Sequence, residues 1–405
     1  MTRQSSVGAR LQELGFDPEL WATTDEEGSE PDHRAKPTVV RLARSELKPT
    51  LFDYQRDLAS QVLRHVGSGD RLLLSLPTGA GKTRTAMAAL IELLREQPNA
   101  SCVWLAPSLE LVDQAAHTFE ALWRDYPDAA DCNLAIRTAS PEGSNLWLQT
   151  PQFLANQRSR YEAFSVAVFD EAHQLGAPTF RSAWEKAAVG ASLQIGLSAT
   201  PGRSSGDETT DLVDFFGGRL LVSKILGRDP VKTLQDRGVL AKLNFRYISK
   251  QEVPEHSVQR ARVLLELCRR LIGRGRRALV FTETVVDAKA IASILASEGL
   301  AASYVEGELP ERVRSERLRD FGDGRISLLL NQKLLATGYD CPAVSDVVLA
   351  GRIGSPILFE QVVGRAARGP LTGGNRYARV WQFDDHLKLH GLPQSYYRFR
   401  DYLWA

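Results

Sequence analysis

The chain has 405 residues, 43% of them hydrophobic and 24% charged, too long for one ordinary domain and comfortable for two of about 150–200 residues. Lys and Arg number 50 against 49 Asp and Glu, a net charge of +1, which excludes a strongly basic coat and leaves only local patches for contact with polyanions. A wholly disordered chain is excluded as well, and with no run of about 18 apolar residues and no signal-peptide core the expectation is a cytoplasmic protein with no membrane contact.

Residues 1–47 stand apart. Val7, Leu11, Leu14 and Leu20 mark a short amphipathic helix that either docks on the body or binds a partner. The polar, acidic, proline-broken stretch 22–37 reads as a flexible linker. From 51 onward short apolar runs alternate with helical patterns. Strands are predicted at 71–76, 101–106, 146–149, 166–170 and 193–198, with helices at 81–96 and near 109–123. After a region near 240–258 that loses the repeat, the pattern restarts. Strands are expected at 277–282, 302–305, 326–331 and 347–350, with helices at 286–298 and 311–321. Alternating βα units with continuous apolar strands imply parallel sheets covered on both faces. The expected divisions are 1–47, a first domain at 48–245, a second at 246–385, and an aromatic tail at 386–405. Cys102, Cys132, Cys268 and Cys341 have no CxxC spacing, so no zinc ribbon, cysteine-held cluster or disulfide scaffold is expected.

LPTGAGKT at 76–83 lies between a predicted strand and a predicted helix, the context a phosphate-binding loop requires. Thr78, Gly79, Ala80 and Gly81 form the turn, and its glycines let backbone N–H groups approach phosphate oxygens. Lys82 can reach the β- and γ-phosphates, and the Thr83 hydroxyl suits a Mg²⁺ ligand. Leu76 stands where the GxxxxGK[ST] pattern has glycine. VAVFDEAHQL at 166–175 puts Asp170 and Glu171 at the carboxyl end of a buried strand, where ligands bind in open α/β sheets. Asp170 is assigned to Mg²⁺, directly or through water. Glu171 is assigned to orient and deprotonate the attacking water.

With these motifs the sequence resembles a superfamily 2 helicase with a DEAD/DEAH-type core, in a style closest to the Rad25/UvrB/restriction-subunit branch. The resemblance runs from Phe52 to Arg368. FDYQ at 52–55 is similar to the adenine-reading segment, implying Tyr54 for stacking and Gln55 for the base edge. APSLELVDQ at 106–114 and LQTPQ at 148–152 resemble motifs Ia and Ic. GLSATP at 196–201 carries the coupling motif in Ser198 and Thr200. VFTET at 280–284 resembles motif IV. LLATGYDCP at 334–342 resembles motif V, with Gly338 and Asp340 toward the nucleotide. QVVGRAAR at 361–368 resembles motif VI.

The resemblance implies two tandem RecA-like domains with the ATP site in the cleft between them, ATP and Mg²⁺ as cofactors, and nucleic acid as partner. DNA is preferred because this branch mostly acts on DNA. It implies catalytic roles for Gln361, Arg365 and Arg368, and the three-residue spacing of the two arginines predicts a shared helix face. It implies backbone contacts to nucleic acid from Pro107, Ser108, Thr150, Thr282 and Thr337. Thr150 could instead cap the next helix. The arginines at 269, 270, 274, 276 and 277 read first as a solvated helix end. The tail at 395–405 could stack on bases, but packing on its own domain or on a partner reads first.

No stretch is long enough for an added domain. The expectation is therefore a bare motor core with weak unassisted unwinding, working with protein partner subunits. An ATP-dependent RNA helicase and an ATP-gated clamp recruiting an effector or nuclease stay open as alternatives.

Overall fold

The computed structural model describes residues 3–21, 38–42, 51–125, 132–157, 161, 163–202, 206–249, 253–254, 257–336 and 338–383. The expected linker at 22–37, the expected tail at 386–405 and Thr337 lie outside the described residues. The chain divides into two compact units, each a parallel α/β layer structure.

In the first unit the strands are β1 (Thr38–Leu42), β2 (Asp70–Ser75), β3 (Cys102–Leu105), β4 (Cys132–Ile136), β5 (Leu146–Gln149), β6 (Val166–Phe169), β7 (Leu193–Ser198) and β8 (Leu220–Leu221). Their order is β1-β4-β5-β3-β6-β7-β2-β8. β1 runs antiparallel to β4, and the other pairings are parallel. Every residue of β3, β5 and β6 is buried, as expected for central strands covered on both faces. The helix Leu109–Arg124 shows how a covering layer forms. Ser108 caps it by accepting from the Leu111 N–H at 3.3 Å, and Leu111, Val112, Ala115, Phe119 and Leu122 make one buried stripe. Gly196 lies in the middle of β7. A Cβ there would collide with the Phe216 ring and crowd Ala172, at 2.8 Å, and Leu73, at 2.9 Å. Glycine at 196 therefore lets the segment after Glu171 pack directly on the sheet.

The second unit holds β9 (Lys242–Tyr247), β10 (Ala278–Phe281), β11 (Ala302–Tyr304), β12 (Leu328–Asn331), β13 (Asp346–Leu349) and β14 (Tyr377–Gln382). They are all parallel, in the order β11-β12-β10-β13-β14-β9. β9 crosses the expected division at 245 and pairs with β14 over its whole length. The chain enters this unit at Gln235, about ten residues before the expected start of the second domain at 246.

The amphipathic helix Arg3–Leu14 belongs to this second unit. Val7, Leu11, Leu14 and Trp21 are buried in one cluster with Ile291, Leu295 and Tyr304. Arg10 Nε lies 2.7 Å from Asp287 Oδ1, and the Trp21 and Tyr304 rings meet at 5.8 Å. All four cysteines are buried and unbridged, and burial pushes the thiols of Cys102, Cys132 and Cys268 up to about 12. Among the described residues no helix is long and apolar enough to cross a membrane.

Candidate functional site

The first unit builds a phosphate-loop site at the carboxyl ends of β2 and β6. The loop after β2 turns through Gly79 (φ 88) and Gly81 (φ 87), left-handed conformations that side chains resist. A Cβ on Gly81 would also collide with Gln55 Nε2. The helix Lys82–Glu96 starts at that glycine, so its first N–H groups and the Thr83 hydroxyl face the loop. Thr78, Lys82 and Thr83 are half-buried and Ala80 is buried.

Two residues assigned to adenine reading brace this loop. The Tyr54 hydroxyl donates to the Ala80 carbonyl at 2.9 Å, and Gln55 Nε2 donates to the same oxygen at 3.1 Å. Gln55 Oε1 accepts from the Phe52 N–H at 3.1 Å. Tyr54 is 0% exposed, so this placement leaves no ring face for a base to stack on. The half-buried Phe52 ring stacks on Tyr54 at 5.6 Å with planes 9° apart. Phe52 is the aromatic at this position with exposed surface. The resemblance implied Tyr54 for stacking and no role for Phe52.

Asp170 and Glu171 stand at the end of β6 and are both buried. Asp170 Oδ2 lies 3.5 Å from Thr83 Oγ1, and Asp170 Oδ1 accepts from the Glu171 N–H at 2.9 Å. Burial, and then the Glu171 charge, push the Asp170 carboxyl up. Lys82, the Glu171 N–H and the Thr83 hydroxyl act against that rise. The two carboxylates thus form an anionic centre short of positive charge. Among the described residues no group of three or more His, Cys, Asp or Glu could hold a metal ion. Thr83 and Asp170 offer two oxygen ligands. That set fits Mg²⁺, which keeps several waters and is completed by substrate phosphates.

Glu171 has φ 52 and ψ 51, a left-handed conformation unusual for a residue with a side chain and one associated with functional turns. Its Oε2 is buried without a hydrogen-bond partner, 3.4 Å from His173 Nδ1. His173 Nδ1 lies 3.5 Å from Ser198 Oγ. Ser198 donates to the Thr200 carbonyl at 2.7 Å and accepts from the Thr200 N–H at 3.2 Å. The structure therefore brings Glu171, Ser198 and Thr200 together through His173. The sequence reading included this histidine within DEAH but gave it no role.

Among the residues assigned to nucleic acid in this unit, Ser108 and Thr150 both act as helix caps. Thr150 Oγ1 accepts from the Phe153 N–H at 3.4 Å and the residue is 8% exposed. Pro107 is half-buried, and its carbonyl accepts from Gln152 at 3.5 Å.

In the second unit the helix Pro356–Gly364 ends before the arginines. Arg365 is its C-cap, while Arg368 forms an isolated antiparallel bridge with Leu240. The two arginines do not share a helix face, because the chain leaves the helix between them. Arg365 donates to the carbonyls of Ala336 and Tyr339 at 3.1 and 2.6 Å. Arg368 makes a two-pronged pair with Asp340, at 3.0 and 2.5 Å. Gly338 has φ 81, and Gln361 is buried. Thr282 is 2% exposed, with its hydroxyl turned to the carbonyls of Thr284 (2.7 Å) and Asn331 (3.2 Å). In this placement it faces the interior rather than a ligand surface.

Family comparison agrees with this geometry. Residues 48–203 match the model of the type III restriction enzyme res subunit, and residues 259–370 match the helicase conserved C-terminal domain. A putative DNA 3'-5' helicase Rad25 of Haloarcula marismortui is 26% identical over 350 residues, 80% of this chain and 51% of that protein. The chain spans about half the length of curated relatives such as this one. Among solved structures, S. cerevisiae Dbp5 bound to RNA and ADP BeF3 aligns with a TM-score of 0.61 at 18% identity, covering 96% of this chain and 93% of that one. The ATP-dependent type ISP restriction-modification enzyme LlaBIII bound to DNA aligns with a TM-score of 0.60 at 17% identity, covering 83% of this chain and 28% of that one. These two likenesses show the fold, a tandem pair of RecA-like domains. The chain belongs to the superfamily 2 helicases, a family of nucleic-acid-dependent ATPases, on their restriction-subunit-like branch.

Proposed function

We propose that this chain hydrolyses ATP to drive movement on DNA, as the motor of a larger repair or defence assembly. The observation that carries the reading is the first unit's anionic centre, Asp170 beside Glu171 with Asp170 Oδ2 3.5 Å from Thr83 Oγ1, next to a glycine-turned phosphate loop. The match of that same region to a restriction-enzyme subunit supports DNA, as does the likeness to a Rad25-type DNA helicase. An RNA substrate is the second reading, supported by the likeness to RNA-bound Dbp5.

In this mechanism the loop's N–H groups and Lys82 take the phosphates. Thr83 and Asp170 would hold Mg²⁺, which would supply charge neutralisation to the bound phosphates. Glu171 accepts a proton from the water whose oxygen attacks the γ-phosphorus, as the bond to ADP breaks. His173 holds Glu171 against Ser198 and Thr200, so a change at the carboxylate reaches the end of β7. Arg365 and Arg368 act on the charge that develops at the γ-phosphate. Changes of the grip on a strand follow the loss of that charge.

The test is phosphate release by the purified chain with single-stranded DNA, duplex DNA and RNA. Stimulation by DNA above RNA supports the reading. Stimulation by RNA alone selects the second one. A strand-displacement assay then separates a motor from an ATP-gated clamp.

A further inference from the structure

The helix Pro151–Asn156, which follows β5, has six residues. A helix that short makes few bonds of its own and leaves its last carbonyls unmatched. Thr150 caps its start. Its far end is held from another element. The Lys186 ammonium donates to the carbonyls of Leu154, Ala155 and Gln157, at 3.2, 2.9 and 2.9 Å. An ammonium has three donors, so all three are engaged, and the charge sits at the negative end of the helix.

Lys186 lies on the helix Pro178–Ala188, the next element after the 3-10 turn Ala172–Gly176 that starts at Glu171. That helix is fixed under β6 by Trp184, whose ring meets Phe169 edge-on at 5.7 Å. Gln152, on the short helix, reaches Pro107 O. One lysine therefore joins the segment after the Asp170–Glu171 pair to the segment that carries Thr150, Gln152 and, through Gln152, Pro107.

We propose that Lys186 is a positioning residue that couples the nucleotide state of the Asp170–His173 segment to strand binding around Thr150. The proposal rests on the functional reading above and adds a route within the first unit. Lys186 has no assigned contact with nucleotide or strand. When the Glu171–His173 turn shifts, the helix Pro178–Ala188 carries the ammonium with it, and the short helix follows because its carbonyl end is bonded to that charge.

The experiment uses the full chain, its Lys186→Met variant, which keeps the stem and removes the donors, and its Lys186→Arg variant, which restores donors. Affinity for a fluorescent single-stranded DNA, with an RNA oligonucleotide in parallel, is measured without nucleotide and with a non-hydrolysable ATP analogue. The thermal midpoint is followed alongside. The wild-type affinity is expected to differ by about tenfold between the two states. In Lys186→Met the ratio is expected to fall below about threefold, with the nucleotide-free affinity within about twofold of wild type. Lys186→Arg recovers most of the ratio. A Lys186→Met chain that keeps the wild-type ratio overturns the proposal alone. So does a Lys186→Arg chain that loses ratio and midpoint together with Lys186→Met, because the role is then one of packing. A wild-type chain whose affinity for both strands ignores nucleotide overturns the motor reading and this proposal with it.

Discussion

The two units treat their charged residues in opposite ways. In the first, the loop is braced by neutral groups, Tyr54 and Gln55 on the Ala80 carbonyl, while two buried carboxylates share little positive charge. In the second, the arginines are already matched, Arg368 to Asp340 and Arg365 to two carbonyls. A preformed site short of cations calls for Mg²⁺, while the phosphates go to the loop's N–H groups and Lys82. A set of arginines held on its own unit calls for a change of partner before it can act elsewhere. Substitutions in the first unit should therefore change nucleotide binding and the chemical step. Substitutions at the arginines should change turnover and leave nucleotide affinity in place.

The largest effect is expected at Arg368. Arg368→Ala should lower kcat by about 10³-fold or more, the range for arginines that stabilise phosphoryl-transfer charge, with nucleotide affinity near wild type. Equal losses from Arg368→Ala and Asp340→Ala would instead make the pair a structural clasp. Next comes Glu171→Gln, expected to lower phosphate release by about 10²–10⁴-fold, the contribution of a general base, while ATP stays bound. Single-turnover kinetics with labelled ATP reads both quantities. Normal turnover in Glu171→Gln would remove the carboxylate from the mechanism and with it the contrast between the units.

Much of the first unit was legible because β3, β5 and β6 are unbroken apolar runs, and because the motifs sit where those strands end. The first unit still hid β1, β4 and β8, and the second unit hid two strands. β9 is an edge strand with Lys242, Arg246 and Tyr247 exposed, so it carries no apolar run. β14 alternates, with Ala378, Val380 and Gln382 buried, and follows a motif that drew the reading toward helix. The arginine spacing misled for a related reason: a three-residue interval implies one face only while the helix lasts, and it ends at Gly364. Lys186 was invisible for another cause. It acts by donating to the main-chain carbonyls of Leu154, Ala155 and Gln157, and such partners leave no pattern of residue types.

The amphipathic helix sharpens the contrast in stability. Leu11 is 0% exposed, in the second unit's core. Leu11→Ala should cost roughly 2–5 kcal/mol, as for other buried leucines. Hydrogen exchange resolved by peptide should show the loss in Val285–Ser297 and β11, with β2 to β7 unchanged. A uniform loss over both units would mean that they unfold as one.

The smallest expected effect lies at the opposite end of β2 from the phosphate loop. Asp70 begins the strand. Its carboxylate lies 2.7 Å from His65 Nδ1 and 2.7 Å from Arg219. Ser68 first, then His65 and Arg219, hold it below the ordinary aspartate value of 3.8. A carboxyl depressed in the folded state binds fewer protons there than in the unfolded chain. Its stabilisation is thus present above the ordinary value and lost as pH falls through the folded one. Asp70→Asn should lower the thermal midpoint slightly at neutral pH, and the gap to wild type should close on acidification below about pH 4, the unfolded-state range of aspartate. The same variant should keep the wild-type KM for ATP, because the length of the strand separates Asp70 from Thr78. A raised KM would show that the two ends of β2 are one mechanical unit, and that the loop's bracing extends beyond Tyr54 and Gln55.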